Sequence, residues 1–187
     1  MNYGISRDDA MKLLAEHVKN PNLLKHCLAT EAVMKNLASH FGEDSEKWGL
    51  AGLLHDLDAE THPDLSEHTK ATEVILRNNG VDEQIIEAIK MHNETAHGQK
   101  RSELFHHALA AGETITGLIT ATALVYPDKK LASVKPKSIR KRMKEKAFAA
   151  GADRTIIMEC EQINIPIEDF CTLCLEAMQN ISDALDL

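Results

Sequence analysis

Residues 48–58 read WGLAGLLHDLD, an uncharged run that ends in an imidazole and two carboxylates. Its apolar residues suit the packed face of a helix, which we expect to run from about Ser45 to Leu57. A carboxylate at the end of a packed helix is costly unless it is paired or bound to a cation. His55 and Asp56 together form an ordinary ligand set for a divalent transition metal. A His-Asp dipeptide alone is weak evidence, since a helix-end histidine beside a capping aspartate is the commoner explanation.

Four residues elsewhere strengthen the prediction of a metal site. His26, His68 and His92 each share a predicted helix face with apolar residues, so each is expected to point toward the core. Glu113 lies within AAGETITGLI (residues 110–119), where it is the only charged residue. A charge in such a stretch needs a partner, and a bound cation is one candidate.

Apolar periodicity, capping residues and breaks predict successive helices and no strand of convincing length. The expected fold is all-α, a compact multi-helix bundle in one domain over residues 1–187. We expect a metal-binding core at about 20–125 and a C-terminal helical extension at about 135–187. The predicted helices are Arg7–Val18, Asn22–Phe41, Ser45–Leu57, Ser66–Arg77, 83–92, Ser102–Val125, Lys135–Ala149, Asp153–Ile163 and Pro166–Ala184.

Composition narrows the class of protein. The 187 residues are 43% hydrophobic and 27% charged, which suits a globular chain. The net charge of −8 argues against a general nucleic-acid partner, which needs a basic surface. No segment approaches the roughly 18 apolar residues of a membrane span, and residues 1–9 lack a signal-peptide core. These features predict a cytoplasmic protein without a membrane partner; they leave the oligomeric state open.

The four cysteines do not predict a disulfide framework in a chain of this length. Cys171 and Cys174 form a C-x-x-C, the spacing of a redox pair or of half a zinc site. No strand precedes it and no second ligand pair lies nearby, so we expect plain core cysteines on the inner face of a helix.

Residues 135–146, KPKSIRKRMKEK, are strongly basic in an otherwise acidic chain. One interpretation is a solvated helix face. Another is an anion site in which Lys137, Arg140 or Lys141 meets a substrate phosphate, with Ser138 as the helix N-cap. Nucleic-acid binding is a third and weaker interpretation, because the stretch is short.

The order His26, His55-Asp56, His68, His92, Glu113 resembles the HD-domain superfamily of metal-dependent phosphohydrolases. Its small bacterial members share similar flanking sequence, most clearly at KHCLATE (25–31) and WGLAGLLHDLD (48–58). MHN (91–93), TGLIT (116–120) and FAAG (148–151) are also similar but less specific. The superfamily usually has Asp as its last ligand, so Glu113 is a departure.

This resemblance implies one or two divalent metal ions, with Fe, Mn, Ni, Co, Zn and Mg all open. His26, His55, Asp56 and Glu113 would hold one ion, and His68 and His92, with Asp56 bridging, a second. Asp56 would be catalytic, and Asp58 would serve as a base or as an orienter of a ligand. His97, in a glycine-containing loop, is a candidate to contact substrate. His106, seven residues before Glu113, is an alternative ligand.

The implied activity is hydrolysis of a small phosphoester, for which a nucleotide is one candidate. Two alternatives keep the same site. One is a di-iron oxygenase on the HD fold, with which the six-ligand set is compatible. The other is a sensor that binds a phosphorylated ligand without catalysis.

Overall fold

The computed structural model describes residues 3–187, and this part of the chain is helical with no strand. The predicted all-α fold is confirmed. Two 3₁₀ helices, Leu131–Ser133 and Met158–Ile163, occur in the second half. The α-helices are α1 (Arg7–His17), α2 (Pro21–Phe41), α3 (Ser45–Leu54), α4 (Lys70–Asn78), α5 (Glu83–His92), α6 (Glu94–His97), α7 (Leu104–Leu124), α8 (Pro136–Met143), α9 (Arg154–Ile157), α10 (Ile167–Gln179) and α11 (Ser182–Leu185).

The helices that carry the site begin and end at residues with a clear local reason. Asn20 caps α2 through its side-chain oxygen, and Pro21 supplies the fixed φ of a first helical residue. Gly42, at φ 72°, ends α2 in the left-handed conformation. Asp44 caps α3 by accepting from the backbone N–H groups of Glu46 and Lys47.

The helix that carries the His-Asp pair is shorter than predicted. α3 ends at Leu54 rather than at Leu57, and the chain turns through residues 55–61. The next helix begins at Lys70 instead of Ser66. The intervening turns bring residues 69–72 to the buried carboxylate of Asp58, which local periodicity cannot reveal.

The basic segment is also shorter as a helix than predicted. Pro136 is its first residue and Lys135 precedes it, so Ser138 is not the N-cap; its hydroxyl lies 2.7 Å from that of Tyr126. α8 ends at Met143, and turns follow to residue 152. The guanidinium of Arg154 donates to several carbonyls of these turns, which satisfies backbone acceptors that a continued helix would have paired.

α2 and α7 form the centre of the fold, with α3 and α10 packed against α2. A Cβ atom on Gly52 of α3 would lie 2.7 Å from the carbonyl oxygen of Thr30 on α2. Only glycine therefore permits this close approach of the two helices. The approach brings the start of α2 beside the end of α3, where His26 and His55 meet.

One apolar core extends from Tyr3 to Leu185 and includes residues of α10 and α11. Cys171 and Cys174 are buried free thiols within it, which confirms the prediction of core cysteines. Burial raises the pKa of the Cys171 thiol to about 12. No helix within residues 3–187 is long and apolar enough to cross a membrane.

Candidate metal centre

Four imidazoles from four segments meet at the end of α3. Their Nε2 atoms form two facing pairs, 3.1 Å apart for His26 and His55 and 3.2 Å apart for His68 and His92. Three of the rings are almost wholly buried, and the His26 side chain is 23% exposed. A metal or a shared proton is needed wherever two such nitrogens face each other.

The opposite nitrogen of each ring has a partner that orients the ring. Nδ1 of His55 donates to the carbonyl of Gly52, and Nδ1 of His92 to that of Ile89. Nδ1 of His26 lies 2.9 Å from the hydroxyl of Thr116.

The Thr116 contact determines where the proton of His26 lies. Thr116 donates its hydroxyl proton to the carbonyl of Glu113 at 2.7 Å, so it must accept from Nδ1–H of His26. When both rings are neutral, His26 and His55 therefore present an unprotonated Nε2 to the same point. Partners on the far nitrogen commonly orient histidines that bind metals.

Asp56 joins the two histidine pairs. Its Oδ2 lies 3.4 Å from Nε2 of His55 and 3.6 Å from Nε2 of His26. Its Oδ1 lies 3.2 Å from Nε2 of His68 and 3.7 Å from Nε2 of His92. One carboxylate thus offers one oxygen to each pair, which is the arrangement of a bridging ligand.

Glu113 is the third member of the donor cluster that contains His26 and His55. Its Oε2 lies 3.7 Å from Nε2 of His26, and its other oxygen accepts from the Thr114 hydroxyl. The structure therefore brings Glu113 to the position expected of the sixth ligand. Burial raises the pKa of Glu113 to about 8, against the opposing effect of the Thr114 hydrogen bond.

Asp58 lies beneath the centre and is 1% exposed. Its carboxylate accepts from Nδ1 of His68 at 2.8 Å and from the backbone N–H groups of Thr69, Ala71 and Thr72. Thr69 adopts φ 83° there, an uncommon conformation for a β-branched residue. Asp58 is thus placed to orient His68. It is buried and does not line the cleft that opens onto the centre, so the structure does not support the other predicted role, that of a base.

Charge in the centre is unevenly distributed. Burial and the nearby His55 lower the pKa of His26 to about 4, and burial with His55 and His68 lowers that of His92 to about 3. For His68 burial acts in the same direction, but hydrogen bonds to Asp56 and Asp58 outweigh it and raise the pKa to about 9. Burial opposes ionisation of Asp56, yet His55 and His68 hold its pKa well below the usual range. Without metal, the extra proton therefore resides on His68 between two carboxylates.

The donor set fits two divalent ions. Two nitrogens bound cis to one ion at about 2.1 Å lie about 3 Å apart, close to the separations within both pairs. His26, His55 and Glu113 form one cluster of donor atoms, and Asp56, His68 and His92 form another. Imidazole with carboxylate is a ligand set that transition metals accept.

A cleft of about 880 Å³ opens onto the centre. Its inner surface carries His26, Asp56, His68, His92 and Glu113. Residues of the C-terminal half, from Ala150 to Glu159, form part of its wall. The cleft is large enough for a small organic ligand.

The structure does not bring three predicted substrate-binding residues to this cleft. Lys137, Arg140 and Lys141 line a separate surface depression, and Arg140 pairs with Glu168 at 2.8 Å. The reason is tertiary, because α8 packs against α7 and α10 and presents its basic residues elsewhere.

Two further histidines also lie outside the cleft lining. His97 is next to the centre, with its Nε2 2.8 Å from the Thr69 hydroxyl, and so contacts a neighbour of His68. His106 lines a different depression beside Trp48 and Phe105. Seven residues place it about two turns, or roughly 10 Å, from Glu113, so it does not substitute for that ligand.

Several residues of the centre were missed in the sequence. Thr116 orients His26, and Arg101 donates to the carbonyls of Met91 and His92 while it pairs with Glu159 at 2.7 Å. Thr116 lies three residues after Glu113 and begins the family-like stretch TGLIT, but neither feature indicated that it orients a histidine. Arg101 stands in a polar loop, where nothing local distinguishes it.

Comparison with known proteins agrees with this geometry. The family model described as HD domain matches residues 23–147, about two thirds of the chain. Neither the comparison with curated proteins nor that with solved structures returned a match. The match includes all six residues of the centre, His26 to Glu113, and the chain belongs to the HD domain family.

Proposed function

We propose that this protein is a metal-dependent phosphohydrolase that acts on a small phosphoester. The proposal rests on one observation. Two pairs of histidine rings, each pair with its Nε2 atoms facing each other, are joined by the Asp56 carboxylate at the bottom of an open cleft. Membership of the HD domain family supports a metal-dependent hydrolase in general. The substrate and the identity of the metal belong to the proposal.

When bound, two divalent ions supply a Lewis acid for a phosphoryl oxygen and a lowered pKa for water. The protein's own residues prepare that chemistry. Fixed Nδ1 partners hold the His26 and His55 rings with their Nε2 atoms facing each other. Asp56 remains ionised, so it offers a charged oxygen to each half of the centre.

Asp58 and Glu113 have distinct roles in this proposal. Asp58 orients His68 through Nδ1 and remains ionised, because the hydrogen bonds from His68 and Thr69 outweigh burial and lower its pKa to about 2. Glu113 lines the cleft and offers one oxygen to the His26 side of the centre. It must lose its proton before it can act as an anionic ligand.

The test combines elemental analysis with a phosphatase screen. Full-length protein loaded separately with Mn²⁺, Fe²⁺, Co²⁺, Ni²⁺, Zn²⁺ or Mg²⁺ is assayed for phosphate release from a panel of small phosphoesters. We expect close to two ions per chain and turnover that Asp56→Ala abolishes. Asp64→Asn, a change in an exposed loop residue that donates nothing to the centre, serves as the matched control.

Two outcomes would contradict the proposal. Oxygen consumption by the iron-loaded protein, with a mixed-valent iron signal and no phosphate release, would establish the oxygenase. Phosphoester binding without turnover under every metal condition would establish a sensor.

A further inference from the structure

The charged residues that line the cleft indicate which kind of phosphoester it favours. The wall outside the metal centre combines Glu94, Asp153 and Glu159 with two cations, Lys100 and Arg101. Among residues 3–187, no other lysine or arginine lines this cleft. A ligand that enters it therefore meets an outer wall with more carboxylates than cations.

Both cations are already engaged by carboxylates. Arg101 is 5% exposed and directs its guanidinium at Glu159 and at the carbonyls of Met91 and His92. Lys100 pairs with Glu94 at 2.8 Å, and its side chain is 88% exposed. Arg101 is held by its partners, and Glu94 offsets the charge of Lys100, so the two cations add no net positive charge to the wall.

Asp153 is the carboxylate without a cationic partner in this wall. It is exposed, and its Oδ1 accepts from the backbone N–H of Thr155 at 2.7 Å as the N-cap of α9. No ion pair involving Asp153 occurs in the part of the chain that the structure describes. A negatively charged group next to it would experience uncompensated repulsion.

The remaining contacts offered by the wall are uncharged. Thr95 and Thr155 present exposed hydroxyl-bearing side chains, and Leu65, which is 61% exposed, and Ile156 present apolar surface. Hydroxyl acceptors together with the Asp153 carboxylate suit a ligand that bears O–H or N–H donors.

We propose that the substrate is a phosphomonoester of an uncharged alcohol rich in hydroxyl groups or other uncharged hydrogen-bond donors, and that the cleft discriminates against di- and triphosphates. This inference rests on the proposed function. A single phosphate would lie over the metal centre, where the bound ions would balance its charge. A second or third phosphate would extend along a wall whose carboxylates outnumber its cations and that includes Asp153.

The basic segment at residues 135–146 does not change this balance. It carries seven lysines and arginines, but the depression it lines is separate from the cleft. A small polyphosphate bound at the metals would therefore not meet Lys137, Arg140 or Lys141.

The experiment compares adenosine mono-, di- and triphosphate with ribose 5-phosphate on the metal-loaded full chain. Calorimetric affinity is measured beside kcat/KM. We expect a monophosphate to show at least about tenfold higher kcat/KM and tighter binding than the triphosphate. Equal or better use of the triphosphate would overturn the inference and leave the phosphohydrolase intact. Absence of all turnover would contradict the proposed function, and the relative affinities would still decide the inference.

Asp153→Asn isolates the charge effect, because asparagine is an equally good helix N-cap. Removing one unit charge near the outer phosphates should raise the relative kcat/KM for the triphosphate about two- to fivefold. Asp169→Asn changes an exposed carboxylate that does not line the cleft, and should leave the ratio unchanged. An unaltered ratio in the Asp153 variant would count against the assigned role of this wall.

Discussion

The Nε2 atoms of His26 and His55 lie 3.1 Å apart, and the Nδ1 atom of each ring has a hydrogen-bond partner of its own. Each ring donates its Nδ1 proton elsewhere, to Thr116 and to the carbonyl of Gly52. When both rings are neutral, their Nε2 lone pairs are directed at one point and repel each other unless a cation lies between them. This pair is therefore the strongest structural argument for metal binding in the chain.

Replacing His26 or His55 should prevent binding of the metal ion that these two histidines would hold. His26→Asn is expected to lower metal affinity by at least about 100-fold, since loss of orienting partners alone costs about 10–100-fold. His40→Asn provides the control, because His40 is exposed on the same helix. Elemental analysis after dialysis gives the stoichiometry. Full metal content in the His26 variant would contradict the assignment.

Thr116→Val tests the orientation of His26 without touching a ligand. The valine is nearly isosteric but cannot accept from Nδ1, so we expect about a 10–100-fold weaker metal affinity. Thr122→Val is matched, because Thr122 is buried on α7 and donates to Leu118 at 2.7 Å. Competition with a fluorescent chelator measures the metal affinity of each variant. Equal affinities in the two variants would exclude the orienting role.

Metal affinity should rise with pH up to about 9. Metal competes with the proton on His68, whose pKa is about 9, and with that on Glu113, whose pKa is about 8. Titrations between pH 6 and 9.5 in several buffers report the protons released. An affinity independent of pH over this range would be inconsistent with these shifts.

The same shift predicts how stability depends on pH in the metal-free protein. The folded pKa of His68 lies above its ordinary value of 6.5, so the stabilisation is complete below 6.5 and is lost as pH rises through about 9. Urea denaturation of chelator-treated protein should give a higher free energy of unfolding at pH 6 than at pH 9.5. His68→Gln should reduce this difference. A difference that persists in the variant would have to arise elsewhere.

Asp58 acts at the opposite end of the pH scale. Its folded pKa of about 2 lies below the ordinary 3.8, so its contribution is present above 3.8 and is lost as pH falls toward 2. The shift corresponds to roughly 2 kcal/mol. Asp58→Asn should flatten the acid limb of the stability curve and weaken metal binding at the His68 side. An unchanged acid limb would show that Asp58 is not the group responsible.

Gly52→Ala tests the packing that brings the first histidine pair together. The added Cβ would meet the Thr30 carbonyl at 2.7 Å, so α2 and α3 must separate, at a cost of roughly 1–3 kcal/mol. Gly117→Ala is the control for stability, because a Cβ there meets nothing within 4 Å. Thermal denaturation and metal content are measured together. A Gly52 variant as stable and as metal-rich as the wild type would contradict this explanation of the pair.

Local sequence was enough to predict the helical fold and the six residues of the centre. Apolar periodicity is a property of short segments, so α2, α5 and α7 were predicted within two residues at each end. The His-Asp pair and an isolated Glu113 were conspicuous because charge in an apolar stretch requires compensation. The resemblance to a known family supplied the order of the ligands.

The ends of the helices next to the metal centre were harder to predict from the sequence. Residues 55–69 depart from helical periodicity because the Asp58 carboxylate draws three backbone N–H groups and His68 toward itself. Such a network joins residues ten to fourteen positions apart through contacts that no periodic pattern records. The helix predicted from Ser66 was therefore too long at its start.

The sequence by itself determined which residues are able to bind metal and that the chain is helical. Only the tertiary structure decided which imidazoles face each other, what orients them and which residues line the cleft. It turned the basic residues of α8 away from the centre and placed Asp153 in the wall instead. The physical reason is that ligand chemistry belongs to individual side chains. The separation of two nitrogens, by contrast, depends on how closely helices pack, and at Gly52 that depends on a missing Cβ.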